Sequence, residues 1–367
     1  MKVFVSLGER SASNYIYHIF KEVKGIDFYG ITDERLRSLG FKSLAKVEDL
    51  SVVGIVEAIP KIPYVYRLWK NIEKLLPHMD VLMLCDAPAF NLPLLKRAKG
   101  KVKRIIYFIS PQVWAWKENR ARLIAELADH LVVLLPFEVD FYKRHQRKGF
   151  NVHFVGHPLV DLAKPSMEEN EFKRLIGYER YIALLPGSRW SEIKRHIPYL
   201  RSVIEGLELD IPFLVPTFEE FKDYIKKGLE GLPVKVITPR DVDTPSYNAM
   251  AYGEFSLVAS GTAELEASLL YSPHVVFYRV NPLTYLLGRL LVKVRHIALT
   301  NLILQREVVP ELVQKSPEEL RSKARELIEE GLRLRMKEEF KRLRHSLGKE
   351  GAIQRLTSLF LQLFYEG

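Results

Sequence analysis

The strongest constraint on the fold of this chain is a repeated alternation of short apolar runs with helical segments. In the first half of the chain, the sequence predicts helices alternating with strands near 2–7, 26–30, 52–57, 81–85, 104–109, 131–135 and 152–155. The second half repeats the pattern, with strands near 181–185, 211–215, 234–237, 255–259 and 274–278. Continuous Val/Ile/Leu-rich strands separated by helices are typical of a parallel sheet covered on both faces. The sequence therefore predicts an α/β protein built from doubly wound, Rossmann-like domains.

The chain length indicates more than one domain, because 367 residues exceed one ordinary hydrophobic core. A segment with one glycine and two prolines, 156–165, predicts the linker. We expect a first domain over 1–165, a second over 172–330, and C-terminal helices over 331–367. The last helix is apolar at helical spacing, so it should dock on a domain, with a return to the first domain as one option. Two such domains place their ligands at the carboxyl ends of the strands, facing a central cleft.

Positive charge is concentrated in the first half of the chain. Residues 1–160 carry a net +9 of the total +10. This asymmetry indicates an anionic partner such as nucleic acid, anionic lipid or a phosphorylated substrate, although solvated surface lysines would also explain it. The single cysteine, Cys85, excludes an internal disulfide framework and suits a reducing compartment. Neither a signal peptide nor a membrane-spanning apolar run is visible, so we expect a cytoplasmic protein.

Two strand-to-helix junctions in the second half have the composition of anion-binding loops. The first runs from Leu185 to Arg189 and the second from Ala259 to Thr262. Free N–H groups and the positive end of the helix dipole meet at such junctions, and an arginine adds a permanent charge. A helix-start salt bridge from Arg189 to Glu192 is the alternative explanation. We predict that a nucleotide diphosphate is bound by Gly187, Ser188, Arg189, Ser260, Gly261 and Thr262.

Two carboxylates near strand ends are candidates for chemistry. Asp86 follows the strand at 81–85, where an aspartate can serve as a general base, or can simply cap the next helix. Glu266 would accept the two ribose hydroxyls of a nucleotide, or would be a first-turn glutamate favoured by the helix dipole. Asp241 and Asp243 are explained by turn and capping roles. The sequence has no His or Cys cluster with the spacing of metal ligands, and it has no Gly-x-Gly-x-x-Gly or Walker motif. We therefore expect neither a metal nor a cofactor.

A predicted helix at 64–76 combines an apolar stripe with basic residues. Such a helix, carrying Trp and Tyr, suits a membrane interface, while packing on the sheet is the alternative. The tryptophans at 114 and 116 could line an acyl pocket, stack on a ring, or pack in their loop. The apolar stripe includes Val65, Leu68, Trp69, Ile72 and Leu76.

Seven segments in a fixed order resemble lipid A disaccharide synthases, bacterial glycosyltransferases of the GT-B fold. They are Asp86–Asn91, Ser110–Trp116, Leu135–Glu138, Gly156–Pro158, Leu185–Arg189 with Glu192, Ala259–Glu266, and Asn301 with Val309–Gln314. The first loop departs from the family pattern Gly-Glu-x-Ser-Gly-Asp. It keeps Glu9 and Ser11, but Ala12 and Ser13 replace the glycine and the aspartate.

The resemblance implies an inverting glycosyltransferase of lipid A and lipopolysaccharide biosynthesis in a Gram-negative bacterium. UDP-2,3-diacylglucosamine would glycosylate 2,3-diacylglucosamine 1-phosphate, giving a β-1,6 disaccharide and UDP, without a metal or cofactor. It implies Asp86 as general base, with Glu9 as its rival. Asn301, Gln314 and Ser11 would position substrate. The enzyme would associate peripherally with the anionic inner membrane, and acyl chains or the membrane would be contacted by Val65, Leu68, Trp69, Ile72 and Leu76. The alternatives are a UDP-N-acetylglucosamine 2-epimerase-like enzyme and a basic nucleic-acid-binding protein. The sequence leaves the oligomeric state open.

Overall fold

The computed structural model describes residues 1–50, 61–113, 118–281, 285 and 295–366. The strand expected at 52–57 and the tryptophans at 114 and 116 lie outside the described residues. Two compact units are present. The first comprises Met1–Pro158 together with the C-terminal segment from Leu347, and the second begins at Leu159 and ends at Ser346.

The first unit contains a seven-stranded sheet in which every pairing is parallel. Its spatial order is β3-β2-β1-β4-β5-β6-β7. The strands are β1 Lys2–Leu7, β2 Asp27–Thr32, β3 Lys42–Lys46, β4 Val81–Cys85, β5 Arg104–Phe108, β6 His130–Val132 and β7 Asn151–His153. The helices are Arg10–Phe20, Glu34–Ser38, Val47–Leu50, Ile62–Leu75, Pro88–Ala98, Glu118–Leu127, Pro136–Lys143 and the C-terminal Ala352–Tyr365, with a 3-10 turn at Leu76–His78.

The second unit contains a six-stranded parallel sheet of the order β10-β9-β8-β11-β12-β13. The strands are β8 Ile182–Leu185, β9 Phe213–Pro216, β10 Val234–Ile237, β11 Ser256–Ala259, β12 His274–Tyr278 and β13 Glu311–Val313. The helices are Leu159–Leu162, Glu169–Ile176, Trp190–Glu205, Lys222–Gly228, Pro245–Tyr252, Thr262–Leu269, Leu299–Leu304, Pro317–Glu326 and Glu330–Ser346, with a 3-10 turn at Glu219–Phe221.

Both sheets reverse their strand order at one point, which is where open α/β sheets bind ligands. The reversal lies between β1 and β4 in the first unit and between β8 and β11 in the second. These four strands are almost entirely buried, as their apolar sequences predict. The loops that follow them contain Glu9, Asp86, Arg189 and Gly261. The predicted class, two doubly wound parallel-sheet domains, is confirmed.

The C-terminal helix packs into the core of the first unit. Phe360 lies 5.8 Å from Phe20 and 5.2 Å from Phe108, measured between ring centroids. Thr357 donates a hydrogen bond of 2.8 Å to the Ile19 carbonyl. Arg104 donates to the carbonyl of Leu363 at 2.5 Å, and so ties the end of the helix to β5. This helix therefore completes the first unit, although it follows the second unit in sequence.

Candidate functional site

The loop after β8 is shaped by the contact of a glycine with a glutamate. Gly187 has a φ of +120°, in the left-handed region that favours glycine. A Cβ atom there would lie 2.6 Å from Oε2 of Glu192 and 2.9 Å from its Cβ. Glycine is thus required at 187 by both its backbone conformation and the lack of space.

Glu192 gathers three donors around its buried carboxylate. It accepts hydrogen bonds from the Ser188 N–H at 3.0 Å, from Arg189 Nη1 at 2.9 Å and from the Tyr278 hydroxyl at 3.1 Å. The expected salt bridge is therefore present, and 31% of the Arg189 side chain remains exposed. Because Ser188 donates to Glu192, the helix-start amides after it and the arginine are the better candidates for binding an anion.

His196 braces the same loop from below, and sequence reasoning missed it. Its Nδ1 lies 2.6 Å from the Pro186 carbonyl, and its Nε2 accepts from the Arg279 N–H at 3.1 Å. Burial lowers the pKa of this imidazole. The histidine thus links the β8 loop to the segment after β12. The sequence does not show this role, because a histidine inside a helix carries no pattern that identifies its partners.

The loop after β11 leads directly into the helix Thr262–Leu269. Gly261 has a φ of +149° and precedes the first helical residue, and the Ser260 N–H donates to the Phe277 carbonyl at 3.0 Å. Glu264 points into the core, where its Oε1 lies 3.4 Å from Nε2 of His274. Glu264 is therefore structural, which leaves Glu266 as the carboxylate of this helix that can meet a ligand.

Glu266 is held by a tyrosine on the neighbouring helix. The Tyr247 hydroxyl donates to Oε1 of Glu266 at 3.0 Å. Removal from water raises the pKa of Glu266 to about 7, and the hydrogen bond from Tyr247 opposes that rise. Glu266 lies beyond the first turn of this helix, where Glu264 is the acidic residue, so the first-turn explanation does not apply to it. Its ribose role stays a prediction.

In the first unit, the backbone of Asp86 is held in an unusual conformation. Asp86 and Ala87 both have a φ of +46°. The Asp86 carbonyl accepts from Asn91 Nδ2 at 2.9 Å and from the Tyr107 hydroxyl at 2.8 Å, and its N–H donates to the Phe108 carbonyl at 3.0 Å. Left-handed non-glycine residues cost about 1–3 kcal/mol each and cluster at functional sites.

Asp86 is not the N-cap residue of the helix Pro88–Ala98. That residue is Ala87, which makes no side-chain cap bond. The carboxylate is only partly buried, and its charge adds to the burial that raises the pKa of Cys85 and of Tyr107. Asp86 is thus a carboxylate at the switch point, placed by its backbone.

The loop after β1 touches the Asp86 loop. A Cβ atom on Gly8 would lie 2.3 Å from the Cβ of Ala87, so the two loops are in direct contact. Glu9 is the N-cap residue of the helix Arg10–Phe20, without a side-chain cap bond, and Ser11 lies half-buried in its first turn. Glu9 and Asp86 therefore occupy adjoining loops.

The side chains of Asn301 and Gln314, the predicted substrate-positioning residues, bind the protein itself. Asn301 is fully buried; its Oδ1 accepts from the Val308 and Val309 N–H groups at 2.7 and 3.0 Å. Its Nδ2 donates to the Val309 carbonyl at 2.8 Å and to Glu311 Oε1 at 2.7 Å. The side-chain amide has no capacity left for a substrate.

Gln314 likewise pairs with backbone. Its Oε1 accepts from the Val280 N–H at 3.0 Å, and its Nε2 donates to the Val280 carbonyl at 2.9 Å. With a φ of +56°, Gln314 ends β13 and fastens it to the segment after β12. Any effect of these two residues on substrate is indirect, through the segments that they hold.

The helix Ile62–Leu75 buries most of the stripe that was expected to meet the membrane. Leu68, Ile72 and Leu76 are at most 4% exposed, which favours the alternative of packing on the sheet for these three side chains. Trp69 is half-buried: its Nε1 donates to the Phe90 carbonyl at 3.1 Å, and Arg97 lies over its ring. Val65 is also half-buried. The apolar stripe is mainly a packing face.

A different apolar edge of that helix is open. Ile62 is 59% exposed and Tyr66 is 48% exposed. Lys70 lies 4.8 Å above the ring of Tyr66, and Arg67 is exposed beside it. Aromatic and aliphatic side chains flanked by cations suit a membrane interface. Sequence periodicity could not separate this edge from the buried stripe.

In the described residues, no helix is both long and apolar enough to cross a bilayer. No group of three or more His, Cys, Asp or Glu side chains in the same residues could hold a metal ion. Asp241 binds Thr238 and Lys222 instead, as a turn residue does.

Solved structures with the same architecture are enzymes that bind UDP-sugars. The UDP-GlcNAc 2-epimerase of Neisseria meningitidis, bound to UDP-GlcNAc, aligns with a TM-score of 0.64 at 13% identity and covers 100% of both chains. The Methanocaldococcus jannaschii UDP-GlcNAc 2-epimerase, in complex with UDP-GlcNAc and UDP, gives 0.63 at 14% identity, covering 98% of this chain and 99% of that one. Such low identities establish the fold alone, and that fold is of the GT-B type.

Sequence comparison narrows this class to one family. The profile described as lipid-A-disaccharide synthetase matches residues 3–364. The lipid-A-disaccharide synthase of Aquifex aeolicus is 45% identical over 364 residues, covering 99% of each chain. That of Persephonella marina is 37% identical over 374 residues, also covering 99% of each. The chain belongs to the lipid-A-disaccharide synthetase family and is a glycosyltransferase of lipid A biosynthesis. Neither the epimerase nor the nucleic-acid alternative gains support.

Proposed function

We propose that this enzyme transfers the sugar of UDP-2,3-diacylglucosamine to the 6-hydroxyl of 2,3-diacylglucosamine 1-phosphate, with inversion at the anomeric carbon. The products are a β-1,6-linked disaccharide and UDP. The observation that carries the proposal is the pairing of Arg189 with a helix N-terminus at the switch point between β8 and β11. An arginine and orphan amides there can stabilise the charge that develops on the departing diphosphate.

The donor site is proposed to lie in the second unit. Gly187 allows the chain to turn tightly before the helix Trp190–Glu205, and Glu192 fixes the Arg189 guanidinium. Ser260, Gly261 and Thr262 present a second helix start on the adjacent strand. Glu266, one turn into that helix, would accept the ribose hydroxyls. Two anion-binding helix starts on neighbouring parallel strands suit an extended nucleotide diphosphate.

The acceptor site is proposed to lie in the first unit, with Asp86 as general base. Inversion in one displacement requires a base to take the proton of the attacking 6-hydroxyl. A partly exposed carboxylate on a strained backbone at the switch point meets that requirement. Glu9, in the adjoining loop, is the rival base, and Ser11, in the first turn of the helix that follows Glu9, would assist in positioning the sugar.

Membrane association of the first unit is part of the same proposal. Both substrates are acylated, so the enzyme must reach them at the surface of the inner membrane. The exposed Ile62 and Tyr66 with Arg67 and Lys70 form the candidate contact, since cations there attract anionic lipid. We propose a cytoplasmic protein that binds this surface peripherally.

The decisive experiment compares Arg189→Ala with Arg201→Ala while UDP release from the two acylated substrates is measured. Arg201 lies on the same helix and pairs with Glu205 near the other end, so it controls for loss of a helix charge. We expect Arg189→Ala to lower kcat/KM by about 100-fold, the loss typical of one transition-state donor, and Arg201→Ala to change it less than about threefold. Equal kinetics of the two variants would refute the diphosphate site. Epimerisation of free UDP-N-acetylglucosamine would instead support the alternative enzyme.

A further inference from the structure

We propose that Tyr247 is a positioning residue for nucleotide recognition, because its hydroxyl holds the Glu266 carboxylate in place to accept the ribose hydroxyls of the donor. This inference rests on the proposed role of Glu266. Tyr247 lies on the helix Pro245–Tyr252, outside the seven segments that carry the family resemblance. Its hydroxyl and Oε1 of Glu266 are 3.0 Å apart.

The geometry leaves the carboxylate open to a ligand. Within the described part of the chain, Tyr247 makes the one side-chain hydrogen bond that reaches Glu266. An ionised carboxylate offers about four lone-pair sites, and a single phenol occupies one of them. Two vicinal hydroxyls can therefore still bind, one to each oxygen. Fixing the rotamer beforehand removes part of the entropy cost of ordering a glutamate when the nucleotide arrives.

Tyr247 is itself placed by a network of backbone contacts at the start of its helix. The next residue, Asn248, is buried, and its Nδ2 donates to the Asp243 carbonyl at 2.8 Å and to Ser166 Oγ at 2.9 Å. Ser166 Oγ in turn donates to the Asp243 carbonyl at 2.5 Å. These bonds lie beside Thr244, the N-cap residue of the helix, which has a φ of +46°. They hold the backbone from which the Tyr247 side chain extends.

The protonation state of Glu266 gives Tyr247 a second effect. Removal from water raises the pKa of Glu266 to about 7, and the hydrogen bond from Tyr247 lowers it. The phenol therefore increases the ionised fraction near neutral pH. A carboxylate accepts hydrogen bonds from hydroxyls more strongly than a carboxylic acid does. Ribose recognition should accordingly strengthen as the pH rises through about 7.

The test is Tyr247→Phe, which removes one oxygen and keeps the ring, assayed by calorimetric titration with UDP and with 2′,3′-dideoxy-UDP. We expect UDP binding to weaken by about 10-fold, as for loss of a hydrogen bond to a charged group, and dideoxy-UDP binding by less than about twofold. The matched control is Tyr252→Phe on the same helix, whose hydroxyl donates to the Met167 carbonyl at 2.6 Å. That variant should affect both nucleotides equally. If Tyr247→Phe weakens the binding of both nucleotides equally, Tyr247 has only a packing role and the inference is overturned.

A pH series distinguishes the two roles of Tyr247, because a residue that only packs would not change the pH dependence of nucleotide binding. The ratio of the two affinities cancels the titration of the phosphates, which both nucleotides share. We expect this ratio to rise through about pH 7 in the wild type and at a higher pH in Tyr247→Phe, since the pKa of Glu266 loses the bond that lowers it. An unshifted midpoint contradicts the inference.

Glu266→Gln separates failure of this inference from failure of the proposed function. If Glu266→Gln does not change the preference for UDP over the dideoxy nucleotide, the ribose role of Glu266 is wrong and the inference falls with it. If Glu266→Gln reduces the preference while Tyr247→Phe does not, the ribose site stands and Tyr247 alone is refuted.

Discussion

The guanidinium of Arg189 lies 2.9 Å from the Glu192 carboxylate, which also accepts hydrogen bonds from the Ser188 N–H and the Tyr278 hydroxyl. Glu192 is buried and held by three donors, whereas Arg189 is partly exposed. The rigid partner of this pair is therefore the glutamate. Its charge orients the arginine before any ligand arrives, which is the preorganisation that electrostatic catalysis requires.

Glu192→Gln should lower kcat/KM for the UDP-sugar by about 10- to 100-fold, because Arg189 and the Ser188 amide lose the acceptor that orients them. Glu205→Gln, which breaks an exposed Arg201 pair on the same helix, should have little effect. Steady-state kinetics with both substrates provides the measurement. Tighter UDP binding in Glu192→Gln would mean that the glutamate competes with the diphosphate for Arg189, contrary to a positioning role.

Asp86→Asn should reduce turnover by about 100- to 10,000-fold, the range for loss of a general base, while UDP binding stays within about twofold of the wild type. The substitution keeps the size of the side chain, and the Asp86 N–H and carbonyl keep their hydrogen bonds to Phe108, Asn91 and Tyr107. Single-turnover assays and UDP titration provide the two readouts. Glu9→Gln is the parallel variant. If it abolishes turnover while Asp86→Asn remains active, Glu9 is the base.

The two sheets could be predicted from the sequence because their central strands are apolar on both faces. The edge strands β3 and β13 were missed because they lack such apolar runs. β3 reads Lys-Ser-Leu-Ala-Lys, and β13 has three residues, so neither shows the continuous apolar run that marks a buried parallel strand. Their pairing depends on neighbours that are distant in the sequence.

The sequence predicts which residues follow the ends of the strands, and the structure places Asp86, Arg189 and Gly261 in such loops. The sequence could not show which polar atoms already form hydrogen bonds within the protein. Asn301 appears in a family motif, yet its amide is saturated by Val308, Val309 and Glu311. Tyr247 lies in no motif and meets Glu266 across a helix pair. Both facts come from three-dimensional packing.

Replacement of Ile62 and Tyr66 by Ser should weaken binding to anionic lipid vesicles. Both side chains are mostly exposed, so the change removes interfacial apolar surface without opening the core. We expect about a 10-fold loss in partition, measured by vesicle co-sedimentation. Leu334→Ser with Tyr365→Ser is the matched control, since these side chains are 55% and 64% exposed on other helices. Equal partition of both double variants would exclude the Ile62 edge as the membrane contact.

His157 should make the first unit sensitive to acid. Its imidazole is buried against Tyr15, with ring centroids 5.9 Å apart, and burial lowers its pKa to about 3. In the unfolded chain the histidine has an ordinary pKa of ~6.5, so it binds a proton first as the pH falls. The free energy of unfolding therefore decreases from about pH 6.5 down to about pH 3. Above that range this contribution to stability is fully present.

The variant His157→Gln should therefore lose less stability on acidification than the wild type does. Between pH 7.5 and pH 5.0 the wild type should lose about 2 kcal/mol that the variant does not, since each pH unit below the unfolded pKa costs about 1.4 kcal/mol. Denaturant unfolding of the two proteins at both pH values measures the difference, and pH 7.5 serves as the reference for any general effect of the substitution. If wild type and variant lose equal stability, the imidazole accepts its proton in the folded state and is not buried as the structure has it.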